Sequence, residues 1–211
     1  RFVNVPLSRR SPRRQIWRMI LISPLPEAFR ADAAALYLAA FGGKIGPVLG
    51  RGDRARTFLA DCINPAQALA AASRDGAQLL GVAGMRDQSG AFMGGGMEEL
   101  SRHYGTVGGL IRGLTLSVLE REAAPGILQM DGICVAESAR GRGVGTALLR
   151  AMAAEARSRG AHELRLEVID TNPRAQALYA RTGFREVKRT GIGPLRHLFG
   201  FRSAVTMALA V

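Results

Sequence analysis

The amino-acid sequence predicts an α/β fold in which helices flank a mixed, mostly antiparallel sheet. In the first half of the chain, two short apolar runs are separated by Arg74-Asp75-Gly76, a turn sequence typical of a β-hairpin. After residue 126, strand-like and helix-like segments alternate, which indicates crossover helices packed on a sheet. A hairpin followed by this alternation gives a sheet with both antiparallel and parallel neighbours.

The N-terminal part is predicted to contain two helices and three strands. In chain order, these are a strand over 15–23, helices over 26–41 and 53–62, and hairpin strands over 66–73 and 77–85. Gly42-Gly43 is expected to end the first helix, because glycine is favoured just after a helix C-terminus. The alanines of 66–73 also suit a helix, but the turn that follows favours a strand.

The C-terminal part is predicted to alternate strands with helices. In chain order, the elements are a strand over 126–135, a helix over 143–159, a strand over 162–168, a helix over 173–182, and strands over 184–190 and 204–211. The second of these helices has locally defined ends. Asn172 is a favoured N-cap, Pro173 a favoured first helical residue, and Gly183 a favoured stop.

Composition and charge exclude several classes of protein. Of the 211 residues, 47% are apolar and 22% charged, as in globular proteins rather than disordered ones. The net charge is +12, but six arginines and no acids lie in 1–18, so residues 19–211 carry only +6. We interpret 1–18 as a basic flexible arm and 19–211 as a single domain. Without interleaved aromatic residues or a recognisable reading motif, we do not expect a nucleic-acid partner.

Apolar segments and cysteines indicate the compartment. No apolar run approaches the roughly 18 residues that span a bilayer, so we expect no membrane partner. Cys62 and Cys134 lie far apart and form neither a disulfide framework nor a metal-ligand spacing. The expected location is the cytoplasm, and no metal is expected.

One glycine-rich stretch precedes a predicted helix. Its pattern is Arg140-x-x-Gly143-x-Gly145, after the apolar run Ile133-Cys134-Val135. The spacing fits neither the dinucleotide fingerprint G-x-G-x-x-G nor a Walker loop, which needs a lysine. Glycines at a helix start suit an anion such as a phosphate, because backbone N–H groups point outward there. The alternative is an ordinary glycine-rich turn that contains an arginine.

A second motif lies on the helix that Asn172 caps. It reads N-x-x-A-x-x-L-Y-x-x-x-G-F over 172–184, with Ala175, Leu178 and Tyr179 on one helix face. Taken alone, Tyr179 suits a packed core tyrosine. The two motifs together, in this order, resemble the GNAT family of N-acetyltransferases, and the direct resemblance covers 126–190.

The resemblance implies a GNAT-like fold, acetyl-CoA as co-substrate, and transfer of the acetyl group to a primary amine by direct attack in a ternary complex. The CoA pyrophosphate would lie on backbone N–H groups of Arg140, Gly141, Arg142, Gly143, Val144, Gly145 and Thr146. The pantetheine arm would pair with the strand edge at Ile133, Cys134 and Val135. Asn172 would contact the pantetheine, with Ala175 in the same motif, and Tyr179 would stand beside the thioester sulfur.

Acyl transfer to an amine needs a base and an acid. Tyr179 suits the acid, because a phenol with a pKa of roughly 10 is protonated near neutral pH. Asp131 is our candidate base, because it occupies the position of a catalytic glutamate in the polyamine acetyltransferases of the family. Strand alternation predicts that it shares a face with Ile133 and Val135, among apolar neighbours that raise its pKa. The alternative is a strand-end carboxylate bonded to nearby backbone. The oxyanion would be held by an N–H near Ile133 or Cys134.

Cys134 also suggests a covalent acyl-enzyme. The three histidines, His103, His162 and His197, form no recognisable Cys-His arrangement, so a buried, inert thiol is the favoured interpretation.

Residues 94–123 depart from the family pattern. Leu110, Ile111, Leu114 and Val118 give an amphipathic spacing, which predicts a helical hairpin packed on the sheet. This insertion either closes the acceptor pocket, forms a homodimer contact or simply packs. The loop 191–203, with Arg196 and His197, is a second candidate pocket wall. The other functions left open are a protein or peptide acetyltransferase, a CoA-binding regulator with little catalysis, and a nucleic-acid-binding module that works through the arginines of 1–18.

Overall fold

The computed structural model describes residues 19–117, 124–193, 196 and 200–211, except for the side chains of Lys44 and of 114–117. Its fold is the predicted one, a mixed and mostly antiparallel sheet flanked by helices. The predicted arm at 1–18 lies outside the described residues, as does the start of the first predicted strand.

The sheet has eight strands within the described ranges. They are β1 (Met19–Ile22), β2 (Ala68–Ser73), β3 (Leu79–Asp87), β4 (Gly90–Ala91), β5 (Ile127–Val135), β6 (Glu163–Ile169), β7 (Arg185–Gly191) and β8 (Ser203–Ala210). Their order across the sheet is β1-β2-β3-β5-β6-β8-β7, with β4 paired to β3. β5 and β6 are parallel, and the other named pairs are antiparallel.

Six α-helices accompany these strands in the same part of the chain. They are α1 (Arg30–Leu49), α2 (Asp53–Cys62), α3 (Met97–Tyr104), α4 (Thr106–Ser117), α5 (Val144–Ser158) and α6 (Pro173–Arg181). One apolar cluster joins the sheet to α5, and a second joins it to α1 and α2. The strands at the centre are therefore buried on both faces.

The predicted end of the first helix is wrong. α1 continues through Gly42-Gly43 and Pro47 and ends only before Gly50, whose φ is +83°. The extra turns bury Ile45 and Leu49 in the second apolar cluster. Packing of these side chains outweighs the cost of glycine inside a helix, about 1 kcal/mol relative to alanine.

The insertion forms the predicted helical hairpin, α3 and α4, but packs mainly against α1 and α2. The expectation that Leu110 and Ile111 pack on the sheet is wrong, because they are 52% and 60% exposed. α4 instead turns glycines toward α3: a Cβ on Gly109 would lie 2.9 Å from the Ser101 backbone nitrogen. Small residues allow the two backbones to approach closely, which leaves the apolar side chains outward. The Leu114 side chain and Val118 lie outside the described set.

Leu148 of α5 anchors the helix to the sheet. It is fully buried, and a Cβ added to Gly81 of β3 would come within 3.1 Å of its side chain. We expect Leu148→Ala to lower the free energy of unfolding by about 2–5 kcal/mol, because the cavity cannot close against a rigid sheet. Chemical denaturation measures the loss. Leu110→Ala is the control, since this exposed leucine should cost no more than about 0.5 kcal/mol. Equal losses would contradict the assigned packing.

Candidate active site

β5 and β6 separate in the middle of the sheet. Their parallel pairing runs from Ile127–Glu163 to Met130–Leu166. Beyond this point β5 remains paired with β3, and β6 remains paired with β8. The two strands therefore diverge after Met130, which opens the β5 edge over 131–135 on its β6 side.

The backbone of Ile133 and Val135 faces this opening. Ala136 donates its N–H to a carbonyl of β3 at 2.9 Å, and a Cβ on Gly81 would lie 2.8 Å from the Cys134 carbonyl oxygen. Cys134 and Ala136 therefore turn their backbone groups toward β3. Because backbone groups alternate between the two edges of a strand, those of Ile133 and Val135 point toward β6. An extended ligand can pair with them there.

The glycine-rich loop leads into α5, whose first N–H groups lie outside the helix ladder. Gly141 and Gly143 have φ of +72° and +85°, a conformation that glycine adopts without strain. The first helical bond of α5 is donated by the Ala147 N–H to the Gly143 carbonyl oxygen, at 2.9 Å. The preceding amides take no part in the helix ladder. They belong to Val144, Gly145 and Thr146.

Two arginines add positive charge to this loop. Arg140 and Arg142 are both exposed. The Arg140 Nε donates to the Val135 carbonyl oxygen at 3.4 Å, which ties the loop to the end of the open strand edge. Guanidinium groups and a helix N-terminus both attract anions, so the loop suits a phosphate-bearing ligand.

Gly145 lies where three elements of the site meet. A Cβ built on it would be 3.6 Å from the Leu178 side chain of α6 and 3.8 Å from the Val135 side chain of β5. The glycine-rich loop, the open strand edge and α6 therefore come together, although 135 and 178 are far apart in the sequence.

α6 carries Tyr179 into this junction. The predicted cap is present, since the Asn172 Oδ1 accepts a hydrogen bond from the Ala175 N–H at 3.2 Å. Tyr179 is buried, with its ring 5.9 Å from that of Phe184. Burial raises the pKa of Tyr179 to about 12, and the Cys134 thiol adds to this effect. The hydroxyl is thus a protonated donor at neutral pH, and no described residue forms a hydrogen bond with it.

The predicted face of Asp131 is wrong. Gly84 pairs with Gly132 and Met85 with Met130, so Asp131 is an extra residue in a β-bulge. The bulge shifts the alternation of β5. Ile133 and Val135 pack on the α5 side, whereas the Asp131 carboxylate bonds to Arg86 and to the Phe92 N–H on the α1 side. The candidate base and the Tyr179 helix therefore lie on opposite faces of the sheet.

The family model of the GNAT acetyltransferases matches residues 49–184, well over half of the chain. The chain belongs to the GNAT acetyltransferase family. Among curated proteins, none matches the sequence significantly. Membership in the family gives the general activity, N-acetyl transfer from acetyl-CoA.

Solved structures share the fold of this acetyltransferase. An enzyme described only as an acetyltransferase has 20% identity and a TM-score of 0.60, over 90% of this chain and 98% of its own. A GCN5-related N-acetyltransferase from Kribbella flavida has 18% identity and a TM-score of 0.59, over 92% and 98%. The ribosomal-protein-S18-alanine N-acetyltransferase of Escherichia coli has 16% identity and a TM-score of 0.52, over 92% and 94%. At these identities the similarity concerns the fold.

Sequence reasoning missed the residues around Asp131 in the acetyltransferase. Its Oδ1 accepts from the Arg86 Nε at 3.1 Å, and its Oδ2 from the Phe92 N–H at 3.2 Å. Tyr37 of α1 faces the same carboxylate, and burial followed by the Asp131 charge raises the Tyr37 pKa well above its usual value. These contacts join distant segments, so no local signal in the sequence points to them.

Aromatic rings cover the bulge beside Asp131. Tyr37 and Phe41 lie with ring centroids 4.5 Å apart. A Cβ on Gly132 would come within 2.8 Å of Phe41 and 3.4 Å of Tyr37, so only glycine lets these rings approach the strand. The α1 side of the site is therefore an apolar surface around one carboxylate.

The Cys134 side chain is buried and unpaired with any other cysteine. Burial raises its thiol pKa to about 12. A thiolate nucleophile is therefore scarce at neutral pH, which favours the interpretation of Cys134 as a packing residue. Its contribution to this site is the strand backbone.

No group of three or more metal-ligating side chains occurs in the described ranges. None of the helices in this part of the chain is long and apolar enough to cross a membrane. In the second candidate pocket wall, Arg196 is exposed, whereas His197 lies outside the described residues.

Proposed function

We propose that this acetyltransferase transfers the acetyl group of acetyl-CoA to a primary amine by direct attack within a ternary complex. The observation that carries the proposal is the separation of β5 from β6 directly beside the glycine loop. An opened strand edge suits the amide groups of a pantetheine arm, and the free amides at the start of α5 suit its diphosphate.

In this proposal, the open edge of β5 holds the pantetheine arm. Ile133 and Val135 pair with its amides, and the N–H groups of 143–146 bind the pyrophosphate. The Ile133 N–H, rather than the Cys134 N–H, stabilises the oxyanion, because only the former points toward the opening. Arg140 supplies positive charge beside the phosphates.

Asp131 removes the proton from the acceptor amine. An amine with a pKa near 10 is an ammonium at neutral pH, so its nitrogen cannot attack the thioester until it loses a proton. Burial raises the pKa of Asp131, an effect that Arg86 and the Phe92 N–H oppose. A raised pKa makes the carboxylate a better base than an exposed aspartate.

Tyr179 donates a proton to the departing sulfur. Its burial keeps the hydroxyl protonated, and the preceding residue of α6, Leu178, packs against Gly145 at the start of α5. The nitrogen of the acceptor forms a bond to the acetyl carbon, the carbon–sulfur bond breaks, and the thiolate receives the tyrosine proton. The nitrogen of the new amide loses its second proton to solvent, which then returns a proton to Tyr179 and takes the one from Asp131.

The experiment that tests this function measures thiol release from acetyl-CoA. Spermidine, free amino acids, kanamycin, aniline and peptides with a free N-terminus or lysine are supplied as separate acceptors. We expect one class to accelerate release, with the acetylated amine detected by mass spectrometry. Acetyl-CoA binding without release in any class would favour a CoA-binding regulator. Acetylation of peptides alone would favour a protein acetyltransferase.

The base assignment predicts the pH dependence of turnover. Below its pKa, Asp131 is protonated and cannot accept the ammonium proton, so kcat falls as pH falls through that pKa. Because asparagine cannot titrate, we expect kcat of Asp131→Asn to drop about 10²-fold or more. The fall of kcat on the acidic side of the pH profile, the acidic limb, should also disappear. The measurement is kcat against pH with the best acceptor of the panel.

Asp87→Asn is the matched control for this variant. Asp87 is also a partly buried carboxylate paired with an arginine, at 2.7 Å from Arg159 Nη1. Asp87 bonds to Arg159 directly after α5 rather than to the site, so the acidic limb should stay in place. If the acidic limb were unaltered in Asp131→Asn, a base other than Asp131 would have to accept the ammonium proton.

A further inference from the structure

The β-bulge in β5 brings Asp131 next to an arginine of the adjacent strand. Arg86 follows Met85 on β3, and its guanidinium reaches the Asp131 carboxylate with an Nε–Oδ1 distance of 3.1 Å. The Asp131 and Arg86 side chains are 11% and 23% exposed. This is a largely buried ion pair inside the candidate site.

Such a carboxylate cannot stay ionised without a partner. Burial of a lone charge is costly, and the group avoids the cost by binding a proton. The other described contact of the carboxylate is the Phe92 N–H, which is shared with the Met85 carbonyl oxygen at 2.8 Å. A shared neutral donor is weaker than a charged one. Arg86 is therefore the stronger support for the ionised form.

The ion pair with Arg86 leaves Asp131 able to accept a proton from the acceptor amine. A carboxylate has about four acceptor sites on its two oxygens, and these two contacts use one on each oxygen. Each oxygen retains a site that an ammonium proton can occupy. Of the titratable and charged groups that face Asp131, Arg86 comes from β3 and Tyr37 from α1, while the Cys134 thiol of β5 faces Tyr37. Both Tyr37 and Cys134 are neutral near pH 7, because burial raises each pKa.

We propose that Arg86 is a positioning residue for the reaction, holding the Asp131 carboxylate ionised and oriented so that it accepts the proton of the acceptor amine. This inference rests on the proposed function, in which Asp131 is the base. Arg86 itself contacts neither substrate. It acts through its Nε–Oδ1 bond to Asp131.

The test compares the pH dependence of kcat in wild type, Arg86→Gln and Asp131→Asn, with the fastest acceptor of the amine panel. Loss of the positive charge stabilises the protonated carboxyl, so in Arg86→Gln the acidic limb should move up by about 1 pH unit. Arg56→Gln is the matched control. Arg56 forms an exposed ion pair with Asp53 at 2.7 Å on α2, and its loss should leave the limb unchanged.

Arg86→Lys separates charge from orientation. Lysine keeps the charge but lacks the planar Nε donor, so the limb should stay within about 0.3 pH units while kcat falls at least threefold. This variant decides the question even if Arg86→Gln does not fold, since wild-type kcat in Arg86→Lys would overturn the positioning role.

The outcomes also distinguish the inference from the function on which it rests. An unshifted limb in folded Arg86→Gln, together with its disappearance in Asp131→Asn, would overturn the role of Arg86 and leave Asp131 as the base. An unchanged limb in both variants would overturn both assignments. A shift in Arg86→Gln that is absent in Arg56→Gln supports the proposal.

Discussion

Replacing Tyr179 with phenylalanine should lower kcat by about 10²-fold while the KM for acetyl-CoA changes little. The substitution removes one oxygen and leaves the buried ring in place, 5.9 Å from Phe184. A hydroxyl whose pKa is about 12 stays protonated and can donate to the leaving sulfur. Without it, the thiolate departs without a proton donor, and only the chemical step suffers. Steady-state thiol release at saturating acceptor measures both constants.

Tyr104→Phe is the matched control for the Tyr179 variant. The Tyr104 hydroxyl donates to the Leu49 carbonyl oxygen at 2.8 Å, and its ring packs against Phe58 and under the Arg112 guanidinium. Its loss should cost about 1 kcal/mol of stability without lowering kcat. If Tyr179→Phe were as active as Tyr104→Phe, Tyr179 would not be the proton donor.

Residues close together in the sequence are enough to predict the elements that carry the two motifs proposed for acetyl-CoA binding. α6 runs over Pro173–Arg181, against a predicted 173–182, because Asn172 caps one end and Gly183 follows the other. Gly141 and Gly143 likewise occupy positions with positive φ just before α5. In both places the residues that define the conformation are adjacent in the sequence, so a short window is enough to predict it.

The structure around Asp131, on the acceptor side of the site, depends on contacts between distant segments and could not be predicted from the sequence. The bulge at Asp131 exists because of the register between β3 and β5, and strict alternation along β5 alone gives the wrong face. Arg86 and Tyr37 approach Asp131 from a different strand and a helix, and nothing near them in the sequence marks this. Local signals also give the wrong end for α1, because burial of Ile45 and Leu49 outweighs two local glycines.

The glycine loop allows a test that separates binding from stability. Gly143 has a φ of +85° and no atom within 4 Å of an added Cβ, so Gly143→Val introduces backbone strain without a clash. Valine at positive φ costs roughly 1–2 kcal/mol, and relief of this strain rotates the amides of 144–146 away from their common direction. We expect the dissociation constant of acetyl-CoA, measured by titration calorimetry, to rise tenfold or more.

Gly160 supplies the control at the other end of α5. Its φ is +75°, and an added Cβ there also meets nothing within 4 Å. Gly160→Val therefore carries the same strain about 20 Å from the loop, at the rise of 1.5 Å per helical residue. Both variants should lose similar stability, whereas only Gly143→Val should lose affinity for acetyl-CoA. Equal affinity in the two would mean that the pyrophosphate does not bind at the start of α5, since the strain is matched and only the position differs.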